Sequence, residues 1–410
     1  MHSGLGSYVR LLRSPGAATL ALSGMIGRFP IAMRSLSCLM LVSAVTGSLA
    51  EAGTVAAAML VCQGVASPVL GRLADRTSQR RVLLTACLAH AVGMASLLVS
   101  IALKAPLWVL IAGAVAAGCT SVSFGSFVRA RWAAMVAPES LRTAYAMESM
   151  LDDTIFLLGP LLVTALASAV HPVTGLLTCW ALHTIGSLAV ALHRRSEPAS
   201  EPVPGRSPVR AITVTGVWVL TLAYAGMGFL FGAVDVSMIA FAEEQGTPWF
   251  GGVLLALIAA GSLVSGLVYG AVDWRVPQDR MLSITTCFLI LSAIPLALTD
   301  SSLVMAFLAV VAGVAISPAL ISGSTLLESV APQGSLSESF SWLTSAGAFG
   351  IGSGTAVGGA LSDMNGSAHG VWAGVGGGVV AVALSVAGRR ALRQGKPDVQ
   401  PASTWAVSEQ

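Results

Sequence analysis

Charge is what this chain has least of. Of its 410 residues 10% are charged and 55% hydrophobic, and the mean hydropathy is +0.81. A soluble chain carries roughly 25% charged residues to cover its wetted surface. The shortage excludes a soluble enzyme, a nucleic-acid binder and a disordered scaffold, and it places the chain in a bilayer. Lysine is nearly missing: of 22 basic residues only Lys104 and Lys396 are not arginine. With abundant Ala, Gly and Val, that bias points to a GC-rich bacterial genome, hence a bacterial plasma membrane.

Paired cysteine motifs are also missing. Cys38, Cys62, Cys87, Cys119, Cys179 and Cys287 lie inside apolar stretches at unrelated spacings, with no C-x-x-C. Such residues pack as small inert hydrophobes, so neither disulfides nor a metal centre is expected. There is no H-E-x-x-H, no nucleophile-and-base constellation and no phosphate-cradling loop, so no catalytic residue, cofactor or ATP site is expected. No cleavable leader is expected either, because the first apolar run is long, contains Arg28 and Arg34, and reads as a retained span.

What is there is a series of runs long enough to cross a bilayer, which takes about 20 mostly apolar residues. They fall near 17–45, 53–71, 82–103, 106–127, 144–168 and 173–192, then 213–241, 250–271, 281–298, 303–326, 340–361 and 370–387. That predicts an all-α membrane protein of twelve helices in two groups of six. The expected divisions are a bundle over 1–193, a cytoplasmic linker over 194–211, a bundle over 212–390 and a cytoplasmic tail over 391–410. The linker holds four prolines and reads as extended and poorly ordered.

Basic residues set the orientation. With both termini inside, 19 fall at cytoplasmic termini and connections, Arg129, Arg131 and Arg142 among them, and only Lys104 falls outside. Trp108, Trp132, Trp249 and Trp274 sit at span ends, as an aromatic belt requires. At an offset of 195 residues Gly159 matches Gly354, Ala165 matches Ala360, Gly175 matches Gly370, and Arg194-Arg195 match Arg389-Arg390. One offset near half the chain length points to a duplicated six-helix unit.

Between the second and third spans the chain reads Gly71-Arg-Leu-Ala-Asp75-Arg76-Thr-Ser-Gln-Arg80-Arg81. This resembles the G-x-L-A-D-R-x-G-R-[KR] signature of the major facilitator superfamily, with Ser78 in place of the glycine and Gln79 in place of the first basic residue. The resemblance extends over essentially the whole chain. It implies alternating access by two rocking bundles, with Gly71, Asp75, Arg76 and Arg80 forming a gating latch rather than a mere anchor. The residue types fit: Gly71 permits close helix approach, and Asp75 suits a helix N-terminus or an arginine across the interface. Arg76, Arg80 and Arg81 can pair with acids or lipid headgroups. Gly159-Pro160, inside Ile155-Phe-Leu-Leu-Gly-Pro, resembles part of the G-x-x-x-G-P-x-x-G-G motif of proton-coupled drug exporters, with Ile155, Val163 and Thr164 departing from it. Glycines from Gly347 to Gly359 make a small-residue face expected to serve packing.

Ionisable residues at mid-bilayer cost roughly 2.5–3.5 kcal/mol each, so they are kept only when paired or wetted. Arg28 is expected to pair with an aspartate of the fifth helix, where Glu148, Asp152 and Asp153 lie. Arg34 has no acid at its level there, so it reaches towards Asp235 or faces the cavity. Two adjacent carboxylates repel, so one takes up a proton near neutral pH. The proton-coupling candidates are therefore Asp152, Asp153, Glu148 and Arg28, with Asp153 slightly favoured. Arg34, Tyr224 and Asp235 are the substrate-cavity candidates; Phe229 and Phe231 could line the cavity beside Tyr224, although aromatics in a span more often serve packing, and His90 and His183 read as structural hydrogen bonders. The expected function is proton-coupled efflux of a small organic molecule by a single chain, with protons and membrane lipids as its other partners. The rivals are a proton symporter or uniporter importing a nutrient, a receptor without transport, and a membrane-embedded enzyme.

Overall fold

Residues 6–198, 210–247, 249–272, 274, 276–332 and 334–393 are described by the structure, a computed structural model. Much of the expected linker and tail, 199–209 and 394–410, lies outside the described residues, as do Arg206, Arg275 and Lys396.

All the elements are helical. A short helix α1 (Gly6–Arg13) precedes α2 (Ala17–Thr46), α3 (Leu49–Arg76), α4 (Gln79–Ala102), α5 (Leu107–Thr120) and α6 (Phe124–Met135). Then come α7 (Pro138–Ala169), α8 (Val173–Leu192), α9 (Thr215–Glu244), α10 (Trp249–Ala271), α11 (Gln278–Ala293), α12 (Ser302–Val330), α13 (Leu336–Asn365), α14 (Ser367–Ala387) and α15 (Arg389–Arg393). With α5 and α6 as one interrupted span, α2 to α8 supply six crossings and α9 to α14 six more. Eleven of these are clearly apolar enough to span; α13, rich in Ser, Gly and Thr, is the twelfth by length.

α13 spends that apolarity on close packing. A β-carbon added at Gly350 or Gly354 would strike the backbone of Ala225 or Phe229 on α9, and one at Gly358 would lie 2.8 Å from Ala233 Cα. The glycine face is thus a packing face, because helices in lipid associate through close van der Waals contact. Duplication shows in equivalent contacts. Gly159 abuts Ala32 as Gly354 abuts Phe229, and Gly175 abuts Ser37 as Gly370 abuts Ser237.

The two bundles meet at one end. There a β-carbon on Gly71 of α3 would lie 2.7 Å from the Ser337 carbonyl oxygen of α13, whereas at Gly64, two turns on, nothing lies within 4 Å. On the other side Gly270 of α10 presses on Ala146 and Tyr8, while Gly252 near the start of α10 also faces open space. The gap between the bundles widens away from this latched end.

Two sequence-based expectations differ from the structure. Arg129 and Arg131 are not loop residues: no proline interrupts the chain between Phe124 and Pro138, so the helix resumes as α6 and carries both. For the same reason Trp132 is fully buried and takes no part in an aromatic belt, whereas Trp108 and Trp249 are exposed.

Candidate functional site: a latch and a buried charge network

Asp75, on the last turn of α3, sits against the first turn of α13. Its Oδ1 accepts the Ser337 amide at 3.1 Å and its Oδ2 the Glu338 amide at 2.8 Å. The first amides of a helix have no partner within it, and a carboxylate there satisfies two and matches the dipole. Of the two partners expected for Asp75, the helix N-terminus is the one found. Arg72, which sequence reasoning passed over, lies across the same seam with Nε 4.0 Å from Glu338 Oε2. Arg76 is exposed, and Arg80 contributes its backbone amide.

The departures from the signature have local causes. Ser78 caps α4 by accepting the Arg81 amide, and donates its hydroxyl to Glu197 Oε1 at 2.7 Å. The same Glu197 oxygen accepts the Arg80 amide at 2.9 Å. Gln79 is buried and bridges the bundles: its Nε2 donates to Ser337 Oγ and its Oε1 accepts Arg131 Nε, both at 2.8 Å. Arg131 also donates to the His193 carbonyl at 2.8 Å and Ser196 Oγ at 3.0 Å. The stretch after α8 is therefore a packed 3-10 turn (Arg194–Ser196) seated beside the latch, not a loose linker. Burial, together with Arg131 and Arg195, holds the His193 imidazole below its ordinary pKa. From α1, Tyr8 donates across to the carbonyls of Gly266 and Leu267 at 3.2 and 3.0 Å. Burial lifts its phenol to about 12, so it stays a donor.

Deeper in the first bundle is a network of two arginines and two acids. Arg28 Nη1 lies 2.7 Å from Glu148 Oε2 and 2.9 Å from Asp152 Oδ1, so the expected Arg28–aspartate pair forms. Arg129 Nη2 closes the other side of Asp152 at 2.9 Å, and Trp132 Nε1 donates to Glu148 Oε1 at 2.8 Å. Arg28 lies 11 residues into α2 and Asp152 14 into α7, about 16 and 21 Å, which is within one turn. The sequence missed Arg129 because it was assigned to a loop; the readable signal was the run from Phe124 to Ala137, free of proline.

Asp153 points elsewhere. It is half-buried at the seam, where Ser317 of α12 donates to its Oδ2 at 3.3 Å. Ser317 Oγ also lies 2.9 Å from Ser149 of α7 and 3.0 Å from Ser262 of α10. Consecutive residues diverge by about 100° around a helix, which sends the two aspartates to different partners: arginines for one, hydroxyls of the other bundle for its neighbour.

Arg34 does not reach Asp235. Its Nη1 donates to Gln63 Oε1 of α3 at 2.8 Å, a neutral partner that a search for acids overlooks. Tyr224 is tied within its own bundle, its hydroxyl donating to the Leu320 carbonyl at 2.7 Å. His90 bonds the Ala117 carbonyl at 2.8 Å as expected. His183 does not: among the described residues neither ring nitrogen has a hydrogen-bond partner, and the ring lies 4.1 Å from that of His90.

A family model described as Major Facilitator Superfamily matches residues 20–302. No curated protein sequence matches. Among solved structures, the human organic anion transporter MFSD10 (TETRAN) is similar with a TM-score of 0.72 at 14% identity, over 90% of this chain and 98% of that one. A bacterial homologue of the iron transporter ferroportin in an outward-facing state gives 0.71 at 14%, over 90% and 98%. The E. coli fucose:proton symporter FucP gives 0.69 at 13%, over 92% and 99%. At such identities the likeness is one of fold.

Proposed function

The chain belongs to the major facilitator superfamily, a family of transporters, and on that premise we propose that it exports a small organic molecule in exchange for protons across a bacterial plasma membrane. The termini lie in the cytoplasm in this reading, so the latched end is cytoplasmic and the gap opens outward. The units that rock are the bundles over 1–193 and 212–390, joined by 194–211.

Asp153 carries the coupling. It is a carboxylate on the seam that accepts from the Ser317 hydroxyl of the opposite bundle. A carboxylate only accepts, whereas a protonated one also donates, and a hydroxyl can answer either way by turning. Proton uptake therefore exchanges the bonding at the seam without a counter-ion. When the bundles rock, Asp153 separates from Ser317 and is presented to the other side. Asp152 stays held between Arg28 and Arg129. The Asp75 latch releases as part of the same movement.

The test is transport by purified protein in liposomes, using a panel of labelled small organic molecules with and without an imposed pH gradient. Asp153→Asn should abolish gradient-driven accumulation while leaving exchange at equal pH. Gradient-driven accumulation retained in Asp153→Asn would remove Asp153 from coupling. Accumulation that ignores the gradient in the wild type would mean uniport, and co-movement of solute with protons would mean import.

A further inference from the structure

Besides Asp153, Arg34 and Asp235 lie within the spans without an ion-pair partner among the described residues, and they have opposite signs. Arg34 is buried, at 8% exposure, and among the described residues its side chain has only the neutral Gln63 as a hydrogen-bond partner. The ionisable groups close enough to feel its charge are Cys38, Cys179, His90 and His183, none of them a carboxylate. Asp235, on the other bundle, is exposed and forms no ion pair among the described residues. Arg28 and Arg129, by contrast, are matched by Glu148 and Asp152. An uncompensated charge at membrane depth is costly to keep, so its counter-charge is expected from something that comes and goes.

Asp235 is exposed on α9, and Arg34, itself buried, borders a cleft on α2. On α2, Arg34 touches α3 through Gln63 and Ala32 touches α7 at Gly159. Ile31 and Ser35, both exposed, fall between those contacts around the helix. Since α3 meets α13 and α7 meets α10, that face of α2 is turned to the second bundle. A cleft on it is lined by Ile31, Arg34, Ser35, Leu60 and Gln63. On α9, Asp235 and the exposed Ile239 lie between the contact of Gly232 with α13 and that of Tyr224 with α12. Those two helices also meet the first bundle. Counted from the latched end, Arg34 is 17 residues along α2 and Asp235 is 20 along α9, about 26 and 30 Å. They stand within one turn of the same depth, on facing walls.

We infer that the transported molecule is a zwitterion, its anionic group held by Arg34 and Gln63 and its cationic group by Asp235, with an apolar body between Ile31 and Ile239. This rests on the transport reading above and names its substrate class. It also explains why the two groups sit on different bundles. A molecule that holds both draws the walls together, and one that carries a single charge engages only one wall. Selection by two fixed charges rejects simple amines and simple carboxylates without any steric filter.

The probes are the straight-chain amino acids from glycine to ε-aminocaproate, alongside alkylamines and alkylcarboxylates of equal length. The readout is thermal melting of the full-length protein in detergent, followed by tryptophan fluorescence. The melting temperature should rise most with amino acids of one intermediate charge separation, and less with either singly charged series. Arg34→Gln and Asp235→Asn should each weaken that response on the order of tenfold or more, the loss expected for a charge-assisted hydrogen bond. Arg34→Lys and Asp235→Glu should retain part of it, which separates lost binding from lost folding. The proposal is overturned if no amino acid outperforms the amine and carboxylate of its own length. Stabilisation by carboxylates alone or by amines alone overturns it equally, as does a wild-type response in both charge-removing variants. The liposome experiment reads transport separately. A protein that moves solutes of the panel but ignores these probes refutes the zwitterion and keeps the transporter. One that binds an amino acid it never moves refutes transport.

Discussion

At the scale of single residues the account turns on which charges are matched. Glu148 is fully buried and meets both Arg28 and Trp132. Removing one partner of a buried pair leaves the other charge desolvated, at a cost of roughly 3–5 kcal/mol. Glu148→Gln should therefore lower the melting temperature of the purified protein sharply. Trp132→Phe removes a single bond to a charged group and should cost about 1.5–3 kcal/mol. If Glu148→Gln melts like wild type, Asp152 alone is sufficient for Arg28 and the network is not structural. Arg28 and its acids were legible in the sequence because charges are rare in spans and spacing gives their depth. The Gln63 partner of Arg34 was not, since a neutral carboxamide leaves no mark in a list of charges.

Among elements, contrast between two glycines of one helix makes the strongest case. Gly71 and Gly64 lie on the same face of α3, one against α13 and one against open space. Gly71→Ala must push Ser337 away or lose the Asp75 bonds, and overpacking of this kind costs typically about 1–3 kcal/mol. Gly64→Ala meets nothing and should be silent. Equal melting temperatures for the two variants would contradict the seam as described. The turn after α8 supports a further expectation. Glu197 accepts from Ser78 and from the Arg80 amide at the start of α4, so Glu197→Ala should fray that helix by about 1 kcal/mol. Faster hydrogen exchange at the Arg80 and Arg81 amides would register it; unchanged exchange would show that Ser78 caps α4 unaided. The sequence placed every span, because hydrophobic length is a strong signal. It lost α6, whose arginines resemble loop residues until Arg129 and Arg131 are seen to have buried partners. It also misjudged the linker's beginning, where polar composition hides Ser196 packed against Arg131.

On the scale of the whole molecule, equivalent glycine contacts in the two bundles describe a pair of similarly packed bundles sharing a seam. The seam is hydrogen-bonded at the latched end through Asp75, Gln79 and Tyr8, and opens away from it. In the proposed transport cycle the second state is one in which the latched end parts and the far end closes. The central claim, that the bundles alternate and that Asp75 biases them, is read most directly by distances between spin labels, in protein whose six native cysteines are replaced. One pair joins positions 44 and 243 at the far end; the other joins positions 76 and 390 at the latched end. In wild type the far pair should be mainly long and the latched pair mainly short. In Asp75→Asn a population with both distances reversed should grow at the expense of the first. A single unchanging distance for each pair, the same in wild type and Asp75→Asn, would contradict the account.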